Sequence, residues 1–265
     1  MGRVMANENA WLGRRVIGIA HQGGAAEGPP NTIHTMRKAM ENGCAALEFD
    51  VHVTRDDQLV LHHDPDFIVE GKAVEIADTN LEALLALKPD VATVGEVLAA
   101  FPEVPLIVEV KAPRAAELTA RMLAEEPGGR PVIVTAFASG TVAAVKRVAP
   151  GLDTAPGWST NFGFWLISRL WTSPPLGTGH VALQVPLRLD QVAIVKRIPL
   201  LRRLRIADRR LVNAAHRRGL AVHVWTLNDD EAMRAALEFG ADGIFTDYPS
   251  VLTATLKATD NYWSP

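Results

Sequence analysis

Cysteine is nearly absent. Cys44 is the single one in 265 residues, which excludes an internal disulfide and fits a reducing compartment. No run approaches the roughly 18 consecutive apolar residues of a membrane span, so no transmembrane helix is expected. The stretch from Met1 to Arg15 has no apolar core of signal-peptide length, and Ala6 stands where a myristoylation motif on Gly2 needs Ser or Thr. These absences point to a cytoplasmic location. Excess positive charge is also missing: 27 Lys and Arg against 30 Asp and Glu give a net charge of −3, which argues against a nucleic-acid partner. What the chain does have is 48% apolar content, ample for one large core and a single domain over 1–265.

Strand-like and helix-like runs alternate almost from end to end. Strands are expected at 16–21, 46–52, 105–111, 132–137, 152–157, 181–185, 221–227 and 243–246. A short extra strand at 58–63 follows a turn at Arg55-Asp56-Asp57-Gln58. Helices fit at 31–42, 80–88, 93–100, 114–126, 139–148, 206–218, 229–239 and 249–257. Thr93 ahead of Glu96 has capping-box spacing, and Gly43, Gly219 and Gly240 stand at helix C-ends. This order predicts the α/β class and a (β/α)8 TIM barrel with its core at about 16–257. An open doubly wound sheet is the runner-up, but no G-x-G-x-x-G turn follows the first strand.

In a barrel, chemistry sits at the C-terminal strand ends. His21, Glu48, Asp50, Glu109, Lys111, Phe137 and Trp225 all fall there, with His63-Asp64 ending the extra strand. Side chains two apart on a strand share a face, so Glu48 pairs with Asp50 and Glu109 with Lys111. Three carboxylates beside two histidines and a lysine suit a hard divalent cation flanked by acid–base groups. His52 shares the parity of Glu48 and Asp50 but also reads as a polar residue near a turn. His216, in His216-Arg217-Arg218, reads as a favourable charge at a helix C-terminus.

The motifs resemble those of the glycerophosphodiester phosphodiesterase family over about 16–257. His21-Gln22-Gly23, Pro29-Pro30-Asn31-Thr32, Glu48-Phe49-Asp50-Val51 and Thr54-Arg55-Asp56-Asp57 come in the family's order. His63-Asp64-Pro65, Glu109-Val110-Lys111, Trp225-Thr226-Leu227-Asn228 and Asp242-Gly243-Ile244-Phe245-Thr246-Asp247 complete the series. The resemblance implies a (β/α)8 barrel that hydrolyses a phosphodiester with one bound Ca²⁺ or Mg²⁺. It implies that Glu48, Asp50 and Glu109 hold the metal, that His21 and His63 serve as base and acid, and that Lys111 contacts the phosphate. Gln22, Phe137 and Trp225 would complete the substrate pocket. Attack by a neighbouring glycerol hydroxyl and direct attack by water both remain open.

Two positions depart from the family pattern. Gln22 replaces an Arg, and Pro30 replaces a Glu. The first change removes a forked cation well suited to phosphate. The second removes a carboxylate, for which nearby Glu27 is a candidate replacement. The alternative class is therefore a barrel that binds lipid or phosphodiester with weak or no turnover.

Aromatic residues are only 6% of the chain, yet Trp158, Trp165 and Trp171 crowd into fourteen residues of an apolar insertion near 158–176. That insertion suits an interfacial or lid helix. A basic segment near 196–210 holds Lys196, Arg197, Arg202, Arg203, Arg205, Arg209 and Arg210 against Asp208 alone. An apolar patch beside a basic one fits peripheral contact with an anionic membrane, and a substrate that is a small glycerophosphodiester or a lysolipid. A lid packed on the barrel mouth is the plain alternative.

Overall fold

β-Branched and apolar runs of four to eight residues become seven of the eight inner strands, and amphipathic runs between them become the covering helices. The computed structural model describes residues 9–12, 15–126, 129–170, 173, 175–177, 179–192 and 204–262. Trp171 and the basic residues Lys196, Arg197, Arg202 and Arg203 lie outside these. In chain order the elements are β1 (Ile17–Ala20), α1 (Ile33–Glu41), β2 (Ala46–Val53), β3 (Leu59–Leu61), β4 (Asp66–Val69), β5 (Lys72–Glu75), α2 (Leu81–Leu87) and α3 (Val94–Ala100). Next come β6 (Leu106–Val110), α4 (Ala115–Glu125), β7 (Val132–Thr135), α5 (Ser139–Val148), β8 (Asp153–Thr154) and α6 (Trp158–Ser168). The last are β9 (Ala182–Pro186), α7 (Arg209–His216), β10 (Ala221–Trp225), α8 (Asp230–Phe239), β11 (Gly243–Thr246) and α9 (Pro249–Ala258).

The parallel strands run β8-β7-β6-β2-β1-β11-β10-β9, and a bridge between Thr154 and His180 closes the circuit between β8 and β9. Val181 N donates to Thr154 O across that seam at 3.0 Å. The result is the expected (β/α)8 barrel rather than an open sheet. β3 lies antiparallel on β2, as the turn at 55–58 predicts. The expected capping box of α3 forms between Thr93 and Glu96, and Gly240 ends α8 at φ 89°.

Two features depart from the sequence expectation. The fifth barrel strand, expected over 152–157, is only Asp153–Thr154. An antiparallel hairpin of β4 and β5 also appears. Its turn residues Glu70 and Gly71 both have positive φ, 51° and 77°, as a two-residue hairpin loop requires. β5 reads Lys-Ala-Val-Glu and is mostly exposed, so no apolar run announces it.

Alternation divides each barrel strand between two cores. Leu47, Phe49 and Val51 face outward onto the helix layer with Val108, Val110 and Val134. Ile19, Ala46, Ile107, Ile133, Ala155, Ala182, Ala221 and Phe245 face inward and meet around Trp11, which is 1% exposed. Asn9 Nδ2 donates to the carbonyls of Val181 and Gly219, just before β9 and β10, and so seats Trp11 at the N-terminal mouth. The floor is therefore plugged, and the open end is the C-terminal one.

His223 sits in this plug, fully buried, with its ring centre 5.6 Å from that of Trp11. Burial pushes its pKa down to about 4, against the opposing pull of Asp242. A histidine depressed in the folded state favours unfolding once the unfolded chain begins to protonate. Stability is thus intact above about 6.5 and falls between about 6.5 and 4, by roughly 3 kcal/mol. His223→Leu should flatten that acid slope in denaturant titrations at pH 7, 5.5 and 4; an unchanged slope would contradict this account.

Candidate active site and metal centre

The inward parity that places Ile19, Ala46, Ile107, Ile133 and Ala221 in the plug also turns residues two or four positions later into the barrel, toward its open end. His21, Glu48, Asp50, Glu109, Lys111, Thr135, Phe137 and Trp225 all follow from it. His21, Glu48, His63, Glu109, Lys111, Phe137 and Trp225 line one cavity of about 330 Å³, joined by Trp158, Asn161, Gln184 and Gln191. Asp50 lies just beneath the lining, 0% exposed. Gln22 is not part of the lining.

Strand register supplies the pairings. β2 and β6 align so that Asp50 stands opposite Glu109. With Glu48 they offer carboxylate oxygens within 4.8 Å of one another. Oxygens bound to a calcium-sized ion at 2.3–2.6 Å span at most about 5 Å, so the trio fits one cation shell. The scaffold ties one oxygen of two of these groups. Gln22 N donates to Glu48 Oε2 at 2.8 Å, and Asn31 Nδ2 donates to Asp50 Oδ2 at 3.0 Å. Asp50 N in turn donates to Asn31 Oδ1 at 3.1 Å. Asp50 Oδ1 is left buried without a directed hydrogen bond, and its nearest cation is the Lys111 ammonium at 3.0 Å. Lys111 Nζ also lies 3.2 Å from Glu109 Oε1.

The electrostatics agree with the geometry. Burial, then the charges of Asp50 and Glu109, lift Glu48 to about 8, against the pull of His21. Burial alone would lower Lys111, but Glu109, Asp50 and Glu48 together raise it. A divalent cation would favour the ionised form of all three crowded carboxylates, whose charge Lys111 and His21 offset only in part. The donor set is all oxygen, as hard cations prefer.

His21 follows β1, and the register sets Ala20 beside Thr246, so His21 meets Asp247. Its Nδ1 lies 2.7 Å from Asp247 Oδ1, which leaves Nε2 for the cavity. Burial would lower this imidazole, but Glu48, the Asp247 hydrogen bond and Asp50 raise it to about 9. Asp247 Oδ2 accepts from Asn228 Nδ2 at 2.7 Å, and Asp247 N donates back to Asn228 Oδ1 at 2.9 Å. The hydrogen bond from His21 helps hold Asp247 below the usual carboxylate range despite burial. The β2–β3 hairpin folds back to present His63, whose Nδ1 lies 2.8 Å from Asp64 Oδ1. His52 does not line the cavity; its Nε2 lies 3.2 Å from the carbonyl of His63 and braces that turn.

Several expectations change in detail. Gln22 contributes its backbone rather than its side chain: at φ 50° and ψ 32° its N–H reaches Glu48 and its carbonyl accepts from Asn31 N at 2.8 Å. Glu27 does not replace the carboxylate absent at Pro30. Its Oε1 accepts from Ser250 N and Oγ at the start of α9, and its Oε2 from Asn42. His216 does end α7, and its Nε2 bonds Asp242 Oδ2 at 2.8 Å. Asp247, Asn228 and Asn31 hold the site together, and only their places in the motif series hint at it.

The aromatic insertion is α6, at the cavity edge. Phe137 stacks on Trp158 at 6.1 Å, and Phe162 lies beyond at 6.0 Å from Trp158. Trp165 is buried and faces inward, whereas Leu166 is 55% exposed and Leu170 73%. Of the described basic residues in the expected patch, Arg205 covers Phe239 and Arg209 bonds the Glu238 carbonyl, while Asp208 pairs with Arg169. Among the described residues, no helix is long and apolar enough to cross a membrane.

Residues 21–251 match the glycerophosphoryl diester phosphodiesterase family. A probable glycerophosphodiester phosphodiesterase of Mycobacterium tuberculosis is 27% identical over 257 residues, covering 91% of each chain. A human lysophospholipase D is 25% identical over 270 residues, covering 88% of this chain and 84% of its own. The structure of an Oleispira antarctica phosphodiesterase in complex with sn-glycerol-3-phosphate superposes with a TM-score of 0.70 at 18% identity, covering 92% of this chain and 97% of that one.

Proposed function

The chain belongs to the glycerophosphoryl diester phosphodiesterase family and is a phosphoric diester hydrolase, and on that premise we propose that it cleaves a glycerophosphodiester with two-histidine acid–base catalysis at one divalent cation. The convergence of Glu48, Asp50 and Glu109 within 4.8 Å, beside His21 and His63 in one cavity, carries the reading. Glu48, Asp50 and Glu109 would hold Ca²⁺ or Mg²⁺. When bound, that ion offsets the negative charge of the phosphate oxygens, which otherwise repels a nucleophile. Lys111, already held at the carboxylates, adds a second positive charge at the cavity wall. One histidine takes the proton of the attacking hydroxyl, and the other gives a proton to the departing alcohol. Asp247 keeps Nε2 of His21 turned to the substrate, and Asp64 does the same for His63.

A second substrate, a lysophospholipid, is favoured by the exposed apolar edge of α6 beside the aromatic wall of Phe137 and Trp158. An acyl chain leaving the cavity would meet Phe162, Leu166 and Leu170, and the same edge would rest on an anionic membrane surface. The test is hydrolysis of glycerophosphocholine, glycerophosphoethanolamine, glycerophosphoinositol and lysophospholipid in anionic vesicles, with Ca²⁺, Mg²⁺ or chelator. Chelator should stop every reaction, and turnover that survives it would sink the metal mechanism. Leu166→Ser with Leu170→Ser should lower turnover of vesicle-borne lysolipid several-fold while sparing the soluble diesters. Equal loss on both kinds of substrate would remove the membrane reading.

A further inference from the structure

A second cavity of about 350 Å³ opens between the chain segments that follow β9 and β10, and it shares Gln191 and Thr226 with the catalytic cavity. Gln191 is the common wall. Its Oε1 accepts from Arg188 N at 3.1 Å, and its Nε2 donates to the Thr226 carbonyl at 3.0 Å. Arg188 and Arg205 line this cavity and stand directly opposite each other across an antiparallel bridge. That bridge is secured by Leu189 N to Leu204 O and Ile206 N to Leu187 O, both 3.0 Å. Like charges placed opposite in a β pair are destabilising. Among the described residues neither arginine is ion-paired with a carboxylate. Arg205 is fixed nonetheless: its Nε donates to Ala207 O at 3.0 Å and its guanidinium lies 5.1 Å from the Phe239 ring centre. Asp190, Asp229 and Glu231 line the same cavity, Asp229 Oδ1 already accepting from Ala232 N at 2.8 Å, and among the described residues no aromatic ring does.

Charged donors and carboxylate acceptors facing one space suit hydroxyl groups, each of which both donates and accepts. A quaternary ammonium would instead seek aromatic faces, and among the described residues none lines this cavity. We infer that this cavity receives a polyhydroxylated alcohol, a polyol or sugar-like head group esterified to the phosphate, while the phosphate itself occupies the catalytic cavity. The inference rests on the phosphodiesterase reading and adds the substrate's head-group class to it.

The test compares kcat/KM for glycerophosphoinositol and glycerophosphocholine in the metal-loaded protein, Arg188→Ala and Asp190→Asn, with bis(p-nitrophenyl) phosphate as a diester that has no polyol. The wild type should prefer the inositol diester. Hydrogen bonds to charged groups are strong enough that each variant should lower the inositol-over-choline ratio about tenfold, chiefly through KM. A ratio that neither variant moves, with hydrolysis intact, overturns the subsite alone. No hydrolysis of any of the three diesters by the wild type overturns the phosphodiesterase reading and the subsite with it.

Discussion

Glu48→Gln will abolish measurable turnover, by about 10³-fold or more, while making the metal-free protein harder to unfold. The two signs follow from the same crowding. Glu48 is 2% exposed, and burial with the charges of Asp50 and Glu109 raises it to about 8. Its ionised form is therefore costly in the folded chain unless a cation is present. A carboxylate raised in this way gives stability that is present below about 4.5 and is lost as pH rises through about 8. The amide introduced by the substitution keeps an oxygen for the Gln22 N–H, so the local turn survives. It removes one of the three carboxylates proposed to hold the ion, and several kcal/mol of transition-state charge stabilisation would go with that ion, each 1.36 kcal/mol being about tenfold in rate. Calorimetric titration with Ca²⁺ and Mg²⁺ should show weakened binding, and chelated samples should show a melting curve less sensitive to pH between 5 and 8. An active variant, or one that binds the ion as tightly as the wild type, would remove Glu48 from the metal site.

The parts of the site legible in the sequence are those that a chain's own alternation fixes. His21, Glu48 with Asp50, and Glu109 with Lys111 follow from period two on three strands, which turns each pair to one face. What alternation leaves open is register between strands far apart in sequence. Asp50 meets Glu109 because β2 and β6 pair without a slip, and His21 meets Asp247 because β1 pairs with the last strand of the barrel. A slip of one residue would turn those side chains to the other face. The sequence of α6 is ambiguous for another reason. It is apolar nearly all round, so nothing in Phe162-Gly163-Phe164-Trp165-Leu166 distinguishes inner from outer face, and only packing shows Trp165 inside and Leu166 outside. Gln22 reads from the sequence as a side-chain contact, whereas its left-handed backbone turns the N–H onto Glu48.

Asp247→Asn should cost about 10³- to 10⁴-fold in kcat with little change in metal affinity. Asp247 accepts two hydrogen bonds, from His21 Nδ1 at 2.7 Å and from Asn228 Nδ2 at 2.7 Å. A carboxylate can accept both; an amide has one oxygen and one NH₂. If the amide oxygen faces His21, its NH₂ meets the NH₂ of Asn228. If the oxygen faces Asn228, the NH₂ points at His21 Nδ1, and the imidazole must place its proton on Nε2. In the neutral imidazole that a general base requires, the nitrogen facing the cavity then carries a hydrogen and cannot take a proton from a nucleophile. The same change in a Ser-His-Asp triad leaves the geometry intact and costs about 10⁴-fold through the wrong tautomer. Asn228→Ala supplies the graded case. It removes one of the two donors to Asp247 but leaves the carboxylate on His21, so its loss should be about tenfold. Asp247 is not one of the three clustered carboxylates, so calorimetric metal binding should hold in both variants. Equal losses in the two would show that Asp247 acts by holding the β11–α9 connection in place. A large gap between them, with metal binding intact, identifies the tautomer of His21 as what Asp247 controls.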